Sequence, residues 1–157
     1  MKRSIAAALA ALVTVVLGTA ESVQAQGRFT VSADGQQVTD TSTRLVWRRC
    51  AEGMRFDGKA CAGKATRYSY AGARKAGSAG WRVPTREELV GILDKGAKKK
   101  PRIDVEAFPQ TPPMPFWAAR PGSDDNLNAW LVSFSNAQVR ANLGQRKFPL
   151  RLVRAAG

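Results

Sequence analysis

The chain has 157 residues, and its 25 lysines and arginines outnumber 12 aspartates and glutamates, which gives a formal net charge of +13 at pH 7. It contains no histidine, which excludes Ser-His-Asp and Cys-His nucleophilic sites, histidine general bases and histidine-ligated zinc or copper. A positive surplus of this size predicts a surface that attracts polyanions.

The N-terminal segment has the pattern of a secretory signal peptide. Lys2 and Arg3 precede an apolar run over residues 5–17, which is short for a bilayer span but typical of a signal-peptide hydrophobic region. Small residues follow, and we expect cleavage after Ala25, with cleavage after Ala20 as the alternative. An uncleaved N-terminal anchor is the competing interpretation.

Residues 1–25 are therefore predicted to be a signal peptide, and residues 26–157 a single mature domain. The mature chain should be periplasmic or secreted and should have no transmembrane segment, because no later apolar stretch is long enough to cross a bilayer. It has no linker, repeat or low-complexity region. Cleavage would leave 23 basic and 11 acidic residues, and 23 − 11 gives a mature charge of +12.

Three short strands and then a cysteine loop follow in chain order. Residues 29–31, 38–40 and 45–47 are rich in β-favouring side chains and are separated by turn residues. Cys50 and Cys61 come next, and an oxidising compartment predicts a disulfide between them. Two free thiols, or a catalytic thiol without a histidine to activate it, are the alternatives.

Two short helices are predicted in the middle of the chain. Residues 69–76 are alanine-rich but interrupted by glycine. The second helix has clearer boundaries, because Pro84 ends an extended segment, Thr85 is a good N-cap and Glu88 lies at capping-box spacing. Leu89 and the apolar residues that follow it form the buried stripe.

The densest basic run, residues 95–102, follows this second helix. A solvated loop without a partner is the simplest interpretation of the run. Contact with a polyanion is the functional alternative, and no aromatic residues are interleaved with the lysines as a single-stranded nucleic-acid binder would require.

The residue pattern in the last part of the chain indicates an irregular segment followed by more strands. Residues 116–118, 130–134, 139–142 and 148–153 are the expected strands. Many short strands with two short helices predict an α+β domain around a twisted, mainly antiparallel sheet with long packed loops. Asp124 and Asp125 are expected in an exposed loop.

Several blocks of residues, in order, resemble the bacterial DUF1566 family, also called the Lcl C-terminal domain family. The resemblance covers nearly all of residues 28–154. The matching blocks are Val38-Thr39-Asp40, Leu45-Val46-Trp47, Arg49-Cys50, Asp57-Gly58, Cys61, Trp81-Arg82-Val83-Pro84-Thr85-Arg86-Glu87-Glu88-Leu89, Ile103-Asp104, Phe108-Pro109, Thr111-Pro112, Phe116-Trp117, Ala129-Trp130, Val132, Phe134 and Leu150-Arg151-Leu152-Val153-Arg154.

This resemblance implies a compact fold similar to C-type lectins and formylglycine-generating enzymes, with the terminal strands in one sheet. The sequence lacks the late cysteine pair of the enzymatic relatives and the calcium-binding motifs of sugar-binding lectins. The namesake domain is associated with sulfated glycosaminoglycans. Fold alone does not establish function.

These observations favour an exported, non-catalytic binding module for an anionic polysaccharide, lipopolysaccharide or another envelope polyanion other than nucleic acid, with no cofactor and no metal. The expected contacts form two sets: Lys98, Lys99, Lys100 and Arg102; and Arg140, Arg146, Lys147 and Arg151.

Two alternatives remain open. One is a protein-interaction or structural component of an envelope assembly, which would use an exposed aromatic patch at Phe116, Trp117 or Trp130. The simpler interpretation of these aromatics is that they form the core. The other is an enzyme that would use carboxylates such as Asp104 or the pair at 124–125.

Overall fold

The computed structural model describes residues 27–119, 129–142 and 146–157. The expected signal peptide and the carboxylates at 124–125 lie outside these residues. The described strands are Phe29–Val31 (β1), Gln37–Asp40 (β2), Leu45–Arg48 (β3), Met54–Phe56 (β4), Cys61–Gly63 (β5), Pro115–Ala118 (β6), Ala129–Ser133 (β7), Val139–Asn142 (β8) and Val153–Ala155 (β9). The described helices are Tyr70–Lys75 (α1) and Arg86–Gly91 (α2).

The strands pair antiparallel in three small sheets rather than in the single sheet expected from the sequence. One has the order β1-β2-β3-β9, one is the hairpin β4-β5, and one has the order β6-β7-β8. The α+β class, the mainly antiparallel pairing and the two short helices are confirmed. The first and last described strands belong to the same sheet, with β9 paired to β3.

The β6-β7-β8 sheet lies between two hydrophobic clusters. Phe116 and Val132 join one cluster with Trp47 and α2, whereas Trp117 and Leu131 join the other with α1. Side chains of successive strand residues point to opposite faces, so strands with both faces covered are apolar throughout. This explains why β6 and β7 are rich in fully buried residues.

The N-terminus of α2 confirms the predicted capping box. The Thr85 side chain accepts a hydrogen bond from the Glu88 N–H, and the Glu88 carboxylate accepts one from the Thr85 N–H. Arg82 donates to both oxygens of the same carboxylate. Glu88 therefore connects the helix start to the extended segment before it.

The disulfide between Cys50 and Cys61 is also confirmed, with a Cα–Cα distance of 5.5 Å. It connects the chain just after β3 to the first residue of β5. No free cysteine remains, because these are the two cysteines of the sequence. Among the described residues, no helix has both the length and the apolar character needed to cross a membrane.

The C-terminal segment differs from the expected strand over residues 148–153. Phe148 forms an isolated bridge with Tyr68, and the strand β9 begins only at Val153. Leu150 and Leu152 are buried between these points. The Arg151 side chain between the leucines, a predicted polyanion contact, is buried as well.

Candidate functional site

The basic run forms a loop, residues 94–102, that is closed at its base; we call it the lysine loop. The Asp94 N–H donates to the Arg102 carbonyl at 3.0 Å, and the Arg102 N–H donates to the Phe134 carbonyl at 2.7 Å. The Arg102 guanidinium also donates to the Lys95 carbonyl at 3.4 Å. The loop is therefore fixed to the turn that follows β7.

The lysine side chains of this loop are all exposed. Lys95, Lys98, Lys99 and Lys100 are exposed, whereas Arg102 is half-buried. None of these five cations forms an ion pair with a carboxylate in the described part of the chain. The first predicted contact set thus has three exposed lysines and one arginine that braces the loop.

The second predicted contact set is divided between two places. Arg140 is exposed on the edge strand β8, opposite Leu131. Arg146 and Lys147 are exposed just before Phe148, and the Arg146 guanidinium lies 5.9 Å from that ring centroid. The β7–β8 hairpin carries Arg140 and also anchors the lysine loop through Phe134.

Arg151 does not belong to a surface set, because its exposed fraction is 0%. Its guanidinium donates to the carbonyls of Arg48 and Arg49 and to the Thr111 hydroxyl. It also lies 4.8 Å from the Phe108 ring centroid. Burial lowers the pKa of Arg151 to about 9, which leaves the guanidinium charged at neutral pH. Its role is structural.

A small pocket of about 180 Å³ lies beside the disulfide and brings together Arg48, Glu52 and Arg55. Burial raises the pKa of the Glu52 carboxyl, and the positive charges of Arg48 and Arg151 offset part of this effect. The Arg48 guanidinium lies 4.2 Å from the Trp81 ring centroid. The pocket is polar but small.

A larger groove of about 530 Å³ lies between β1 and the ends of the lysine loop. Its floor is apolar, and three carboxylates line it, which is unusual in so basic a chain. We call it the acidic groove. Its lining residues are Gly27, Arg28, Phe29, Val31, Ile92, Leu93, Asp94, Asp104, Glu106 and Ala107.

No pattern in the sequence indicated this groove. Its carboxylates come from the two sides of the lysine loop, and its apolar residues come from three separate segments. From the sequence, Asp104 is a candidate only as a catalytic carboxylate. In the structure one oxygen of Asp104 accepts hydrogen bonds from the N–H groups of Glu106 and Ala107 and so caps a turn.

The exposed aromatic patch that the protein-interaction alternative requires is not present among the described residues, because Phe116 and Trp117 belong to the core and each have an exposed fraction of 0%. Trp130 is half-buried, and the Cζ atom of Arg86 lies 4.6 Å from the centroid of its ring. Among the described residues, no group of three or more cysteines, aspartates and glutamates is arranged to hold a metal ion.

Comparison with known proteins identifies the family. Neither a curated protein nor a solved structure matches the chain significantly. The family model described as the Lcl C-terminal domain matches residues 36–154, which include the disulfide, the capped helix and the lysine loop. The match covers well over half of the 157 residues. The chain therefore belongs to the Lcl C-terminal domain family.

Proposed function

We propose that this protein is an exported, non-catalytic binding module for an anionic polysaccharide or another polyanion of the cell envelope. The lysine loop carries the proposal, because it holds exposed ammonium groups on a backbone that is closed at its base. A loop that is already ordered loses less conformational entropy on binding than a flexible one.

The chemistry of the loop suits sulfate, phosphate or carboxylate groups along a polymer. Each ammonium group is a strongly hydrated point charge with three donors, so it binds anions without demanding one geometry. Lys98, Lys99 and Lys100 are consecutive and exposed, and Arg140 is a further exposed cation on the hairpin to which the loop is bonded. Such a surface selects for charge density more than for one sugar.

Three further observations support parts of this proposal. The Cys50–Cys61 disulfide fits an oxidising compartment and so supports export to the periplasm or beyond the cell. The position of β1 and β9 in one sheet supports the finer proposal of a C-type-lectin-like fold. The absence of histidine from the sequence supports a binding role over most acid–base chemistry.

Salt-dependent binding to immobilised heparin tests the proposal. The exported protein should elute at a high salt concentration, and the logarithm of its affinity should fall linearly with the logarithm of salt concentration as counterions are released. The variant K98A/K99A/K100A should elute earlier. For this variant, the slope of log affinity against log salt concentration should be smaller by roughly one unit for each contact with an anionic group of heparin that is lost.

The matched control is K59A/K64A/K75A, which removes the same charge from the β4–β5 hairpin region and from α1. These three lysines are also exposed and lie outside the lysine loop. Equal losses in the two triple variants would show that only net charge matters and would contradict a site at the lysine loop. Retention that is independent of salt would contradict the polyanion proposal itself.

A protein-interaction role in an envelope assembly is the second candidate function. The exposed aromatic patch that would have supported it is absent, because Phe116 and Trp117 are buried. The acidic groove supplies a different basis, because it combines apolar and acidic residues in one open cavity.

A further inference from the structure

The acidic groove runs along an open sheet edge. Strand β1 is the outermost strand of the order β1-β2-β3-β9, so one of its sides has no neighbouring strand within residues 27–119, 129–142 and 146–157. Phe29 and Val31, two of its three residues, line the groove. An open edge presents backbone donors and acceptors to any extended chain that approaches it.

The hydrogen-bond register shows which backbone groups face this edge. The Thr41 N–H donates to the Arg28 carbonyl, and the Ser32 N–H donates to the Gln37 carbonyl. In an antiparallel ladder the residues that bond to the neighbour alternate with residues that point away from it. The N–H and C=O groups of Phe29 and Val31 therefore point away from β2, toward the groove.

The groove is acidic although the protein is strongly basic. Asp94, Asp104 and Glu106 line it, and all three are exposed. Asp94 and Asp104 each use one carboxylate oxygen to accept backbone hydrogen bonds, from Gly96 and from the 106–107 turn. None of the three forms an ion pair within the described residues, so their charges are available to a ligand.

The one basic residue of the lining is already occupied. Arg28 donates two hydrogen bonds to the Asp40 carboxylate, at 3.1 and 2.6 Å, and one to the Gly91 carbonyl. Its charge is therefore neutralised by Asp40, and the negative charge of the three groove carboxylates is not cancelled by it.

The groove also has an exposed apolar side chain. Val31 is 39% exposed and lines the groove, where Phe29, Ile92 and Leu93 form the apolar floor. Val105 lies between two of the groove carboxylates in the sequence and is 53% exposed, but it is not part of the lining.

We propose that the acidic groove binds an extended, lysine- or arginine-bearing segment of a partner protein, which adds as a strand to the open edge of β1. Backbone hydrogen bonds to Phe29 and Val31 hold the segment, and alternate side chains reach the two faces of the extended sheet. Its apolar residues cover the floor and Val31, and its basic residues pair with the carboxylates.

Charge complementarity identifies this occupant. A polyanion is repelled by the three carboxylates, and a second copy of this chain, with a formal charge of +13, is disfavoured by repulsion between like-charged molecules. A basic segment that projects from a partner of lower net charge meets neither obstacle. This inference is independent of polyanion binding at the lysine loop.

The test uses a synthetic hexapeptide that alternates valine and lysine, and a hexapeptide that alternates valine and glutamate as the matched control. Each is titrated at low salt into ¹⁵N-labelled exported protein and followed by amide chemical shifts. We expect the lysine peptide to shift the amides of Phe29 and Val31 in a saturable manner, and the glutamate peptide to have no effect. Saturable shifts that map elsewhere, or equal binding of both peptides, would overturn the proposal.

Charge variants provide a second measurement. Asp104→Asn keeps the oxygen that accepts the two backbone hydrogen bonds, and Asp57→Asn is its control because Asp57 caps a turn in the same way, by accepting from Lys59 and Ala60. Asp104→Asn should weaken lysine-peptide binding about two- to fivefold, as expected for one exposed charge pair. The triple change D94N/D104N/E106Q should weaken it about tenfold or more. An unchanged dissociation constant in the triple variant would overturn the proposal.

Edge variants test the strand addition directly. Val31→Pro removes an N–H that points to the groove and leaves the bonds to β2 in place, and proline is tolerated on edge strands. It should abolish binding of the lysine peptide. If Val31→Pro does not fold, Val31→Lys provides the same test by placing a positive charge on the edge. Binding that survives at full strength in the folded edge variant would contradict strand addition.

Two controls distinguish peptide binding at the groove from binding near the lysine loop and from self-association. The lysine-loop variant K98A/K99A/K100A should bind the lysine peptide as well as the wild type or better, because it removes repulsion near the groove. A marked loss of peptide binding in this variant would contradict a site in the acidic groove. Self-association that disappears in the triple groove variant would identify a second copy as the occupant and would overturn the proposal of a partner protein.

Discussion

The lysine loop and a cluster of buried and half-buried arginines carry the same kind of charge and use it in opposite ways. We define the arginine cluster as Arg48, Arg49, Arg151 and Arg154. Arg49 and Arg151 donate hydrogen bonds to backbone carbonyls, and Arg154 donates to the side-chain oxygen of Gln37. The guanidinium groups of the cluster also lie over the rings of Trp81, Phe56 and Phe108. The lysines of the loop make none of these contacts with other residues of the described chain.

This difference follows from the chemistry of the two side chains. The guanidinium is planar, weakly hydrated and rich in donors, so it stacks on rings and joins carbonyls inside a protein. The ammonium group is strongly hydrated and loses more when it leaves water. In this chain the described ion pairs Arg28–Asp40, Arg82–Glu88 and Arg86–Glu87 also use arginine. Formal charge alone therefore overstates the surface available to an anion.

The largest expected effect comes from Arg151→Met. This change leaves the Arg48 and Arg49 carbonyls and the Thr111 hydroxyl without their donor inside the core. We expect the free energy of unfolding to fall by about 3–5 kcal/mol, measured by urea denaturation. Arg140→Met on the exposed face of β8 is the control and should change stability by less than about 0.5 kcal/mol. Equal effects would remove the distinction between buried and exposed cations.

Removal of the disulfide should have the next largest effect. Cys50 follows the two residues whose carbonyls accept from Arg151, so the bond and the guanidinium fix the same segment. The double variant C50A/C61A should lose about 2–3 kcal/mol, because the unfolded chain regains the entropy of the closed loop. Thermal unfolding measures the loss. A loss below about 0.5 kcal/mol would show that Arg151 and the β-sheet suffice to hold this segment.

The Arg28–Asp40 pair should give a smaller effect that depends on pH. Although burial by itself would raise the pKa of Asp40, hydrogen bonds from Arg28 and Ser42 lower it to about 2, from 3.8. A depressed carboxyl pKa stabilises the folded state above the unfolded-state pKa, and this contribution is lost as the pH falls toward about 2. Asp40→Asn should therefore cost about 2 kcal/mol at pH 7 and less than about 1 kcal/mol at pH 2. A pH-independent difference in denaturant titrations would contradict the ion pair.

The smallest effect on stability is expected for K98A/K99A/K100A. These side chains are exposed and form no ion pair within the described residues, so the unfolding free energy should stay within about 0.5 kcal/mol of the wild type. Calorimetry and heparin elution should be measured on the same sample. A large loss of stability would show that the lysine loop supports the fold, and any loss of binding would then have a different cause.

Local rules in the sequence predicted much of the fold. Thr85 and Glu88 at capping-box spacing predicted the start of α2, and the structure confirms both hydrogen bonds. The pair of cysteines predicted the disulfide, and alternating apolar residues predicted β7 with its neighbour β8. The capping box and the hairpin depend on residues that are close in the chain. The disulfide could be predicted because the sequence contains only two cysteines, so only one pairing is possible.

Features that depend on distant segments could not be predicted. Arg151 is predicted from the sequence as a surface contact for a polyanion, but its guanidinium is buried and donates to the carbonyls of Arg48 and Arg49 at the end of β3. The acidic groove is assembled from β1, the end of α2 and the 104–107 turn, and nothing in the sequence aligns these three segments. The position of Lys98, Lys99 and Lys100 was predicted, whereas the groove beside them was not.

Because the lysines lie outside the packed parts of the fold, the net charge of this molecule can be changed by chemical modification of lysine. All eight lysines of the described chain, from Lys59 to Lys147, are exposed, and none forms an ion pair there. Acetylation by an amine-selective reagent removes lysine charge and leaves guanidinium groups unchanged, and no histidine competes for the reagent. The net charge can therefore be lowered stepwise in the folded protein while every arginine contact stays in place. The order in which a bound polymer protects individual amines would map its path over the surface.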